Sequence, residues 1–178
     1  MWRYLNRIET GFNWMTLAFA VLVAISIGLI TLLIPLNLAL INLDLGGIWW
    51  LYEAVEYALY VGVFIAAPWV LHQGSHVRVD VLVSALPVKA GRQLDQFVNL
   101  VGVVLCVTLT IYGLRATLSE FEDGTLPDKD LRIANWFMIS IFAFAFFMLT
   151  IEFLFRVLRA IQNGGEEEDD AAAVSTGF

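Results

Sequence analysis

The chain has 178 residues, of which 60% are hydrophobic and only 15% charged, with a mean hydropathy of +0.77. A soluble domain of this size needs a charged surface, so the composition excludes that class and indicates an integral membrane protein. The formal net charge of −7 comes largely from an acidic run at residues 166–170, and no basic patch offers a surface to nucleic acid.

The N-terminus begins with Arg3 and Arg7 and continues into an apolar run from Trp14 to Ile41. This run is too long for the hydrophobic region of a signal peptide, and no small-residue cleavage site follows it. The segment is therefore predicted to stay in place as a membrane anchor.

Four apolar runs predict an all-α integral membrane protein with four transmembrane helices, since about 20 residues cross the hydrocarbon core. The predicted spans cover residues 14–36, 48–71, 96–118 and 133–158. Pro35 is expected to end or kink the first span, and Asn37 to Gly47 are expected to form the connection to the second. Residues 1–161 are predicted to be a single membrane domain, followed by a disordered acidic tail at 162–178.

Lysine and arginine are concentrated on one side of the predicted spans. That side carries Arg3, Arg7, Arg78, Lys89, Arg92, Arg156 and Arg159. The positive-inside rule places both termini and the middle loop in the cytoplasm, and the loops at 37–47 and 119–130 outside. The middle loop alternates like a strand at 77–81, but an unpaired strand would leave its backbone groups exposed. We therefore predict a short interfacial helix there, ending before Pro87.

Small and polar residues at helical spacing predict which helix faces touch, because close packing drives association in lipid. The predicted faces are Asn13, Thr16, Ala20, Ala24, Gly28 and Thr31 in the first helix, Ala54, Ala58, Gly62 and Ala66 in the second, and Arg92, Asp95, Gln96, Asn99, Gly102, Cys106, Thr110 and Gly113 in the third. These three faces predict a compact bundle. The phenylalanine-rich fourth helix is expected to face lipid or a large partner.

Two acids, Glu53 and Glu56, lie one turn apart at the start of the second helix. Carboxylates inside a membrane often bind protons or cations. The adjacent Trp49 and Trp50 instead favour an interfacial position near the helix N-terminus, or a polar contact with a partner. Farther along, Glu152 is expected to pair with Arg156, four residues later.

A metal site is conceivable at His72, His76 and Asp80, which are spaced four apart. Gly74 and Ser75 interrupt that spacing, however, and the chain has no third histidine, so no metal site is predicted. No nucleophile–base pair or nucleotide-binding loop occurs either. The residues thus predict no enzyme and no cofactor, but a small membrane subunit that works beside something larger.

A run of features from the second helix into the middle loop resembles a known family. The run is Trp49-Trp50, Glu53, Glu56, a small-residue helix, Gly74-Ser75-His76-Val77-Arg78-Val79-Asp80-Val81-Leu82, and Leu86-Pro87. It is similar to the small membrane subunit, of DctQ type, of tripartite ATP-independent periplasmic (TRAP) transporters, whose signature is Gly-x-His-(Ile or Val)-x-Val-Asp-x-Leu. Chain length and four spans fit the same family.

The resemblance implies a subunit in the bacterial inner membrane that carries no substrate itself. It would act as a scaffold for a large multi-spanning permease that holds the substrate and sodium sites. A periplasmic binding protein would deliver an organic acid and dock near the acidic outer loop. The resemblance also implies that Trp49, Trp50, Glu53 and Glu56 contact the large subunit or lipid headgroups.

In the same resemblance, His76, Arg78 and Asp80 would fix the cytoplasmic turn, with Arg78 and Asp80 bracing the interfacial helix or holding a lipid phosphate. A merely solvated turn is the alternative. Two other functions also stay open. One is an anchor subunit of another membrane complex, and the other is an autonomous small transporter with Glu53 and Glu56 as proton carriers.

Overall fold

The structure, a computed structural model, describes residues 2–73, 88–129 and 131–176, with side chains over 9–73, 90–91, 93–129 and 131–160. Across these residues the chain forms four α-helices and no strand. The helices are α1 (Trp2–Asn42), α2 (Leu51–His72), α3 (Val88–Asp123) and α4 (Asn135–Thr176).

Each of the four helices is long and apolar enough to cross a membrane. The candidate spans are Glu9–Asn42, Leu51–His72, Gln93–Asp123 and Asn135–Ala160. The shortest, at 22 residues, is about 33 Å long and so covers the hydrocarbon core. The prediction of an all-α protein with four spans is confirmed. The predicted interfacial helix falls at residues 74–87, outside the described residues, and the orientation of the termini stays a prediction.

The first helix does not end at Pro35 but continues to Asn42. Proline removes one backbone hydrogen bond, which transmembrane helices tolerate because neighbouring groups can satisfy the freed carbonyl. Asn37, expected in the connection, instead lies inside α1 and is fully buried. Its Oδ1 accepts a hydrogen bond from the backbone N–H of Ile48 at 2.6 Å, which fixes the start of α2 against α1.

The connection between α1 and α2 reverses the chain within residues 43–50. Asp44 and Gly46 adopt φ values of 53° and 82°, in the left-handed region that aspartate and glycine tolerate best. The expectation of a polar, glycine-containing turn here is confirmed, although the turn begins later than predicted.

The phenylalanine-rich α4 lies at the centre of the helical unit. It packs against both α2 and α3, while α1 packs against α2. Phe142 and Phe146 of α4 contact Phe64 of α2, with ring centroids 5.3 and 6.3 Å apart. Phe155 contacts Phe12 of α1 at 5.8 Å. The expectation that α4 faces lipid or a large partner is therefore only partly right, because these rings pack against other helices while Phe137, Phe144 and Phe147 remain exposed.

The predicted contact face of α3 is confirmed in its middle, although Gln96, predicted on the same face, is exposed. Asn99, Cys106 and Gly113 are buried against α4. A Cβ atom on Gly113 would lie only 3.0 Å from the Cβ and 3.2 Å from the Cα of Ala143. The small residue at this position is what allows the two backbones to approach so closely.

The predicted face of α1 is only partly correct. Thr16 is buried, but Ala24, Gly28 and Thr31 are exposed, and nothing lies within 4 Å of a Cβ placed on Gly28. Steps of four residues advance about 400° around a helix, so such a row drifts away from a fixed contact face by roughly 40° per step. The part of the row from Ala24 to Thr31 therefore lies outside the contact between α1 and α2.

Replacing Gly113 by valine is expected to separate α3 from α4. The added atoms would meet the backbone of Ala143, which cannot move aside. We expect a loss of about 1–3 kcal/mol in the free energy of unfolding, typical of overpacking, seen as a lower unfolding temperature in mild detergent. Gly28→Val is the matched control, since it places the same side chain on an open surface. Equal effects of the two substitutions would contradict this packing.

Candidate functional site

The loop between α3 and α4 is held against the start of α2 by Glu53 and Glu56. Glu56 Oε2 lies 2.7 Å from the Nζ of Lys129, and Glu53 Oε2 accepts a hydrogen bond from the backbone N–H of Leu131 at 2.6 Å. We name these four residues the loop latch. Glu53 and Glu56, which the sequence predicts at the membrane interface or against a partner, thus contact a loop of their own chain.

Two tyrosines of α2 extend the contact made by the loop latch. The hydroxyl of Tyr57 donates to the carbonyl of Leu131 at 3.3 Å, and the Lys129 ammonium lies 5.1 Å from the centre of the Tyr57 ring. That separation is within the range of a cation–π contact. Tyr60, one turn later, donates to the carbonyl of Met138 in α4 at 3.3 Å. The N-terminal parts of α2 and α4 are therefore joined by polar contacts.

The hydrogen bond to Glu56 raises the pKa of the Lys129 ammonium above its ordinary value. A group whose pKa is raised on folding contributes stability that is present below its ordinary pKa and is lost as the pH rises through the raised one. The ordinary pKa of lysine is already about 10.4, so Lys129 stays charged throughout the neutral range. Lys129 therefore brings a positive charge to its contact with Glu56.

Trp49 and Trp50 lie at the same end of the helical unit, immediately before α2. Both rings are exposed, at 66% and 42%. Exposed indoles at a span end suit the headgroup level of a membrane, where an apolar ring with a polar N–H is favoured. A contact with a partner or with headgroups stays the prediction for both.

At the opposite end, the fully buried Glu152 joins α4 to α2. Its Oε1 lies 3.0 Å from His72 Nδ1, 3.3 Å from Arg159 Nη2 and 3.7 Å from Arg156 Nε. The expected pairing of Glu152 with Arg156 is confirmed, but it is one contact among three. The guanidinium of Arg156 also donates to the backbone carbonyl of Leu71 at the end of α2.

The same group of charges reaches α1 through Glu9. Arg159 Nε lies 3.0 Å from Glu9 Oε1, an ion pair whose N–H does not point at the oxygen. We name Glu9, His72, Glu152, Arg156 and Arg159 the buried charge cluster. A carboxylate without solvent access is retained only when it is paired, so this cluster fixes three helices relative to one another.

His72 therefore serves a different role from the metal ligand considered for it. Its ring contacts Glu152 on another helix, 80 positions away in sequence. Over the described parts of the chain, no group of three or more histidine, cysteine or acidic side chains is placed to hold a metal ion. His76, Arg78 and Asp80 lie within residues 74–87, outside the described residues, and their role stays a prediction.

Sequence reasoning missed the partners rather than the acids. Arg159 enters the sequence analysis only as one of the basic residues that orient the protein, and neither Lys129 nor Glu9 is singled out there. The available signal was position, since each lies just beyond the end of a predicted span, where a charged group can reach another helix end. What the sequence lacked was the knowledge of which helix ends are neighbours.

Comparison of the chain with known proteins gives a family match. No curated protein matches the chain. The family described as "Tripartite ATP-independent periplasmic transporters, DctQ component" matches residues 42–163, well over half of the chain. The matched region contains α2, α3, the loop latch, and every member of the buried charge cluster except Glu9. The chain therefore belongs to the DctQ family, the small permease component of TRAP transporters.

Proposed function

We propose that this chain is the small permease subunit of a sodium-coupled, binding-protein-dependent TRAP transporter for an organic acid. It works beside a large permease subunit and a periplasmic binding protein in the bacterial inner membrane. Residues 1–161 form its membrane domain, and both termini are cytoplasmic. Family membership supports the subunit and its partners, while the basic residues on one side support the orientation.

The scaffold role rests on the contacts that the acids in and near the spans make with their own chain. Glu53 and Glu56 hold the outer loop, Glu152 joins α2 to α4, and Glu9 joins α1 to α4 through Arg159. A proton carrier must exchange its proton along a polar path, whereas these carboxylates are engaged in fixed contacts with their own chain. This favours a rigid support for a moving partner over the alternative of an autonomous proton-coupled transporter.

The proposed docking surface for the binding protein is the acidic end of α3 and the loop that follows it. Its acids are Glu120, Glu122, Asp123, Asp128 and Asp130. The loop latch holds this segment against α2, so the acids are presented on a supported surface instead of a free loop. In the proposed orientation this surface faces the periplasm, where the binding protein would arrive.

Transport by proteoliposomes tests the proposal. Vesicles would contain the large permease with or without this chain, a sodium gradient, the binding protein, and labelled dicarboxylate, keto acid and sialic acid in turn. We expect sodium-dependent uptake of one acid class only when this chain is present. Full uptake by the permease alone would contradict the scaffold role.

The same assay tests the predicted turn through the double variant His76→Ala with Asp80→Ala. We expect less assembled complex and slower uptake, with the affinity of the binding protein for its substrate unchanged. Assembly and uptake equal to those of the unaltered chain would rule out a structural role for the turn.

A further inference from the structure

An apolar groove of about 750 Å³ runs between α2 and α3 along one face of α4. Small residues leave the space open, among them Ala58, Gly62 and Ala66 on α2 and Gly102 and Cys106 on α3. The walls of the groove expose almost only carbon atoms. The groove is open along one side, so hydrocarbon from the surrounding bilayer can enter it.

A second, polar pocket of about 300 Å³ lies at the end of the molecule that holds the buried charge cluster. It is lined by Asp95, Asn99, Arg156, Arg159 and Ala160. The pocket contains side chains of both charges, in contrast to the groove. Arg159 remains 39% exposed, so its guanidinium is accessible from the pocket even while it contacts Glu152.

The pocket continues the groove along the same two helix faces. On α3, Asn99 of the pocket precedes Gly102 of the groove by three residues; on α4, Arg156 follows Phe153 by three. Residues three or four apart lie on one face of a helix, about one turn from each other. Leu71, at the end of the groove, accepts a hydrogen bond from Arg156. One continuous site therefore has an apolar body and a charged end.

We propose that this site binds one phospholipid with a zwitterionic, amine-bearing headgroup. An acyl chain lies in the groove, the phosphate contacts the guanidinium of Arg159, and the amine contacts the carboxylate of Asp95. The proposal is independent of which substrate the transporter carries.

The balance of charges selects a zwitterion over an anion. Arg156 and Arg159 already face Glu152 and Glu9, and Asp95 adds a further acid whose only described bond is one accepted from Asn99 at 3.1 Å. An anionic headgroup would add a net negative charge beside these acids. A headgroup with a phosphate and a primary amine adds none, and an ammonium supplies donors for a carboxylate.

The size of the groove selects a lipid over a transmembrane helix of a partner. A transmembrane helix with side chains is about 10 Å wide and 30 Å long, whereas the groove is lined by α2 only from Ala58 to Leu71, about 20 Å. A volume of about 750 Å³ instead falls in the range of sites for elongated small molecules. A bare hydrocarbon chain is narrow enough to lie between α2 and α3.

Photolabelling of the full chain, purified in mild detergent with the proteins that accompany it and returned to vesicles, tests the proposal. The probe is phosphatidylethanolamine with a diazirine on one acyl chain, competed by unlabelled phosphatidylethanolamine, phosphatidylcholine or phosphatidylglycerol. We expect labels to concentrate on groove residues and to be displaced best by phosphatidylethanolamine. Ala66→Leu should lower groove labelling several-fold, whereas Ala24→Leu, on the exposed face of α1, should not.

The variant Asp95→Asn tests the headgroup. Losing a charge-assisted hydrogen bond should reduce the preference for phosphatidylethanolamine over phosphatidylcholine by about tenfold. Three results would overturn the proposal. They are labelling in proportion to exposure on all helices, groove labelling without headgroup preference, and cross-links from groove residues to a helix of the permease.

Discussion

Glu152→Leu is expected to cost about 3 kcal/mol in the free energy of unfolding, near the lower end for breaking a buried ion pair. The substitution removes the carboxylate that faces Arg156 and Arg159, which are only 20% and 39% exposed. His72 loses its contact as well, so this end of α2 keeps only the described hydrogen bond from Arg156 to the Leu71 carbonyl as a polar contact with α4. Unfolding of the purified chain by heat or SDS in mild detergent measures the loss.

Two further variants show whether the loss of stability arises from the arginine charges that Glu152→Leu leaves unpaired. Glu122→Gln, on the exposed end of α3, is the matched control and should change the unfolding free energy little. Adding Arg156→Met to Glu152→Leu should recover part of the stability, because an apolar pair replaces an unpaired buried charge. A Glu152→Leu protein as stable as the Glu122→Gln protein would show that the buried charge cluster does not hold the helices.

The double variant Glu53→Ala with Glu56→Ala is expected to release the loop between α3 and α4. A charge-assisted hydrogen bond such as that from Leu131 to Glu53 is worth about 1.5–3 kcal/mol. Its loss should raise the equilibrium constant for opening of the loop by roughly 10- to 100-fold. Hydrogen exchange of the backbone amides in residues 124–134 should quicken by that factor, while amides in the middle of α2 should not change. The measurement is mass-spectrometric exchange on the intact protein.

Glu122→Ala serves as the control for the loop latch, since it removes an acid of the same region from an exposed position. It should leave exchange of the loop as it is. Unchanged exchange in the double variant would mean that the loop is held by other contacts and that the loop latch has no part in presenting the acidic surface.

The existence of the four spans could be predicted because hydropathy is a property of consecutive residues. The second and fourth helices begin within three residues of the predicted spans, at Leu51 and Asn135. The first, third and fourth extend well beyond their predicted spans, to Asn42, Asp123 and Thr176. Hydropathy locates the segment that suits hydrocarbon, whereas backbone hydrogen bonding continues the helix into water, so helix length cannot be predicted from hydropathy alone.

The position of α4 could not be predicted from its own residues. Phenylalanine suits a lipid-facing surface and a helix interface equally, and the choice depends on the neighbours. Phe153 packs where Gly102 leaves room on α3, and Phe146 packs beside Phe64 on α2. Which small residue faces which ring depends on the tilt and rotation of whole helices, which no local pattern encodes.

The candidate site was predicted in part for the same reason. Glu53 and Glu56 were identified as polar residues at a span end, and they do make the polar contacts there. Their partner Lys129 lies 73 residues from Glu56, and His72 lies 80 from Glu152, so both pairs depend on the packing order of the helices.

Purification of this chain from its native membrane in mild detergent, followed by mass spectrometry, tests the central claim most directly. We expect recovery of a multi-spanning permease in a one-to-one complex, which would direct the search for the substrate to the periplasmic binding protein. Recovery of the chain alone, or with redox subunits, would contradict the scaffold role in a TRAP transporter.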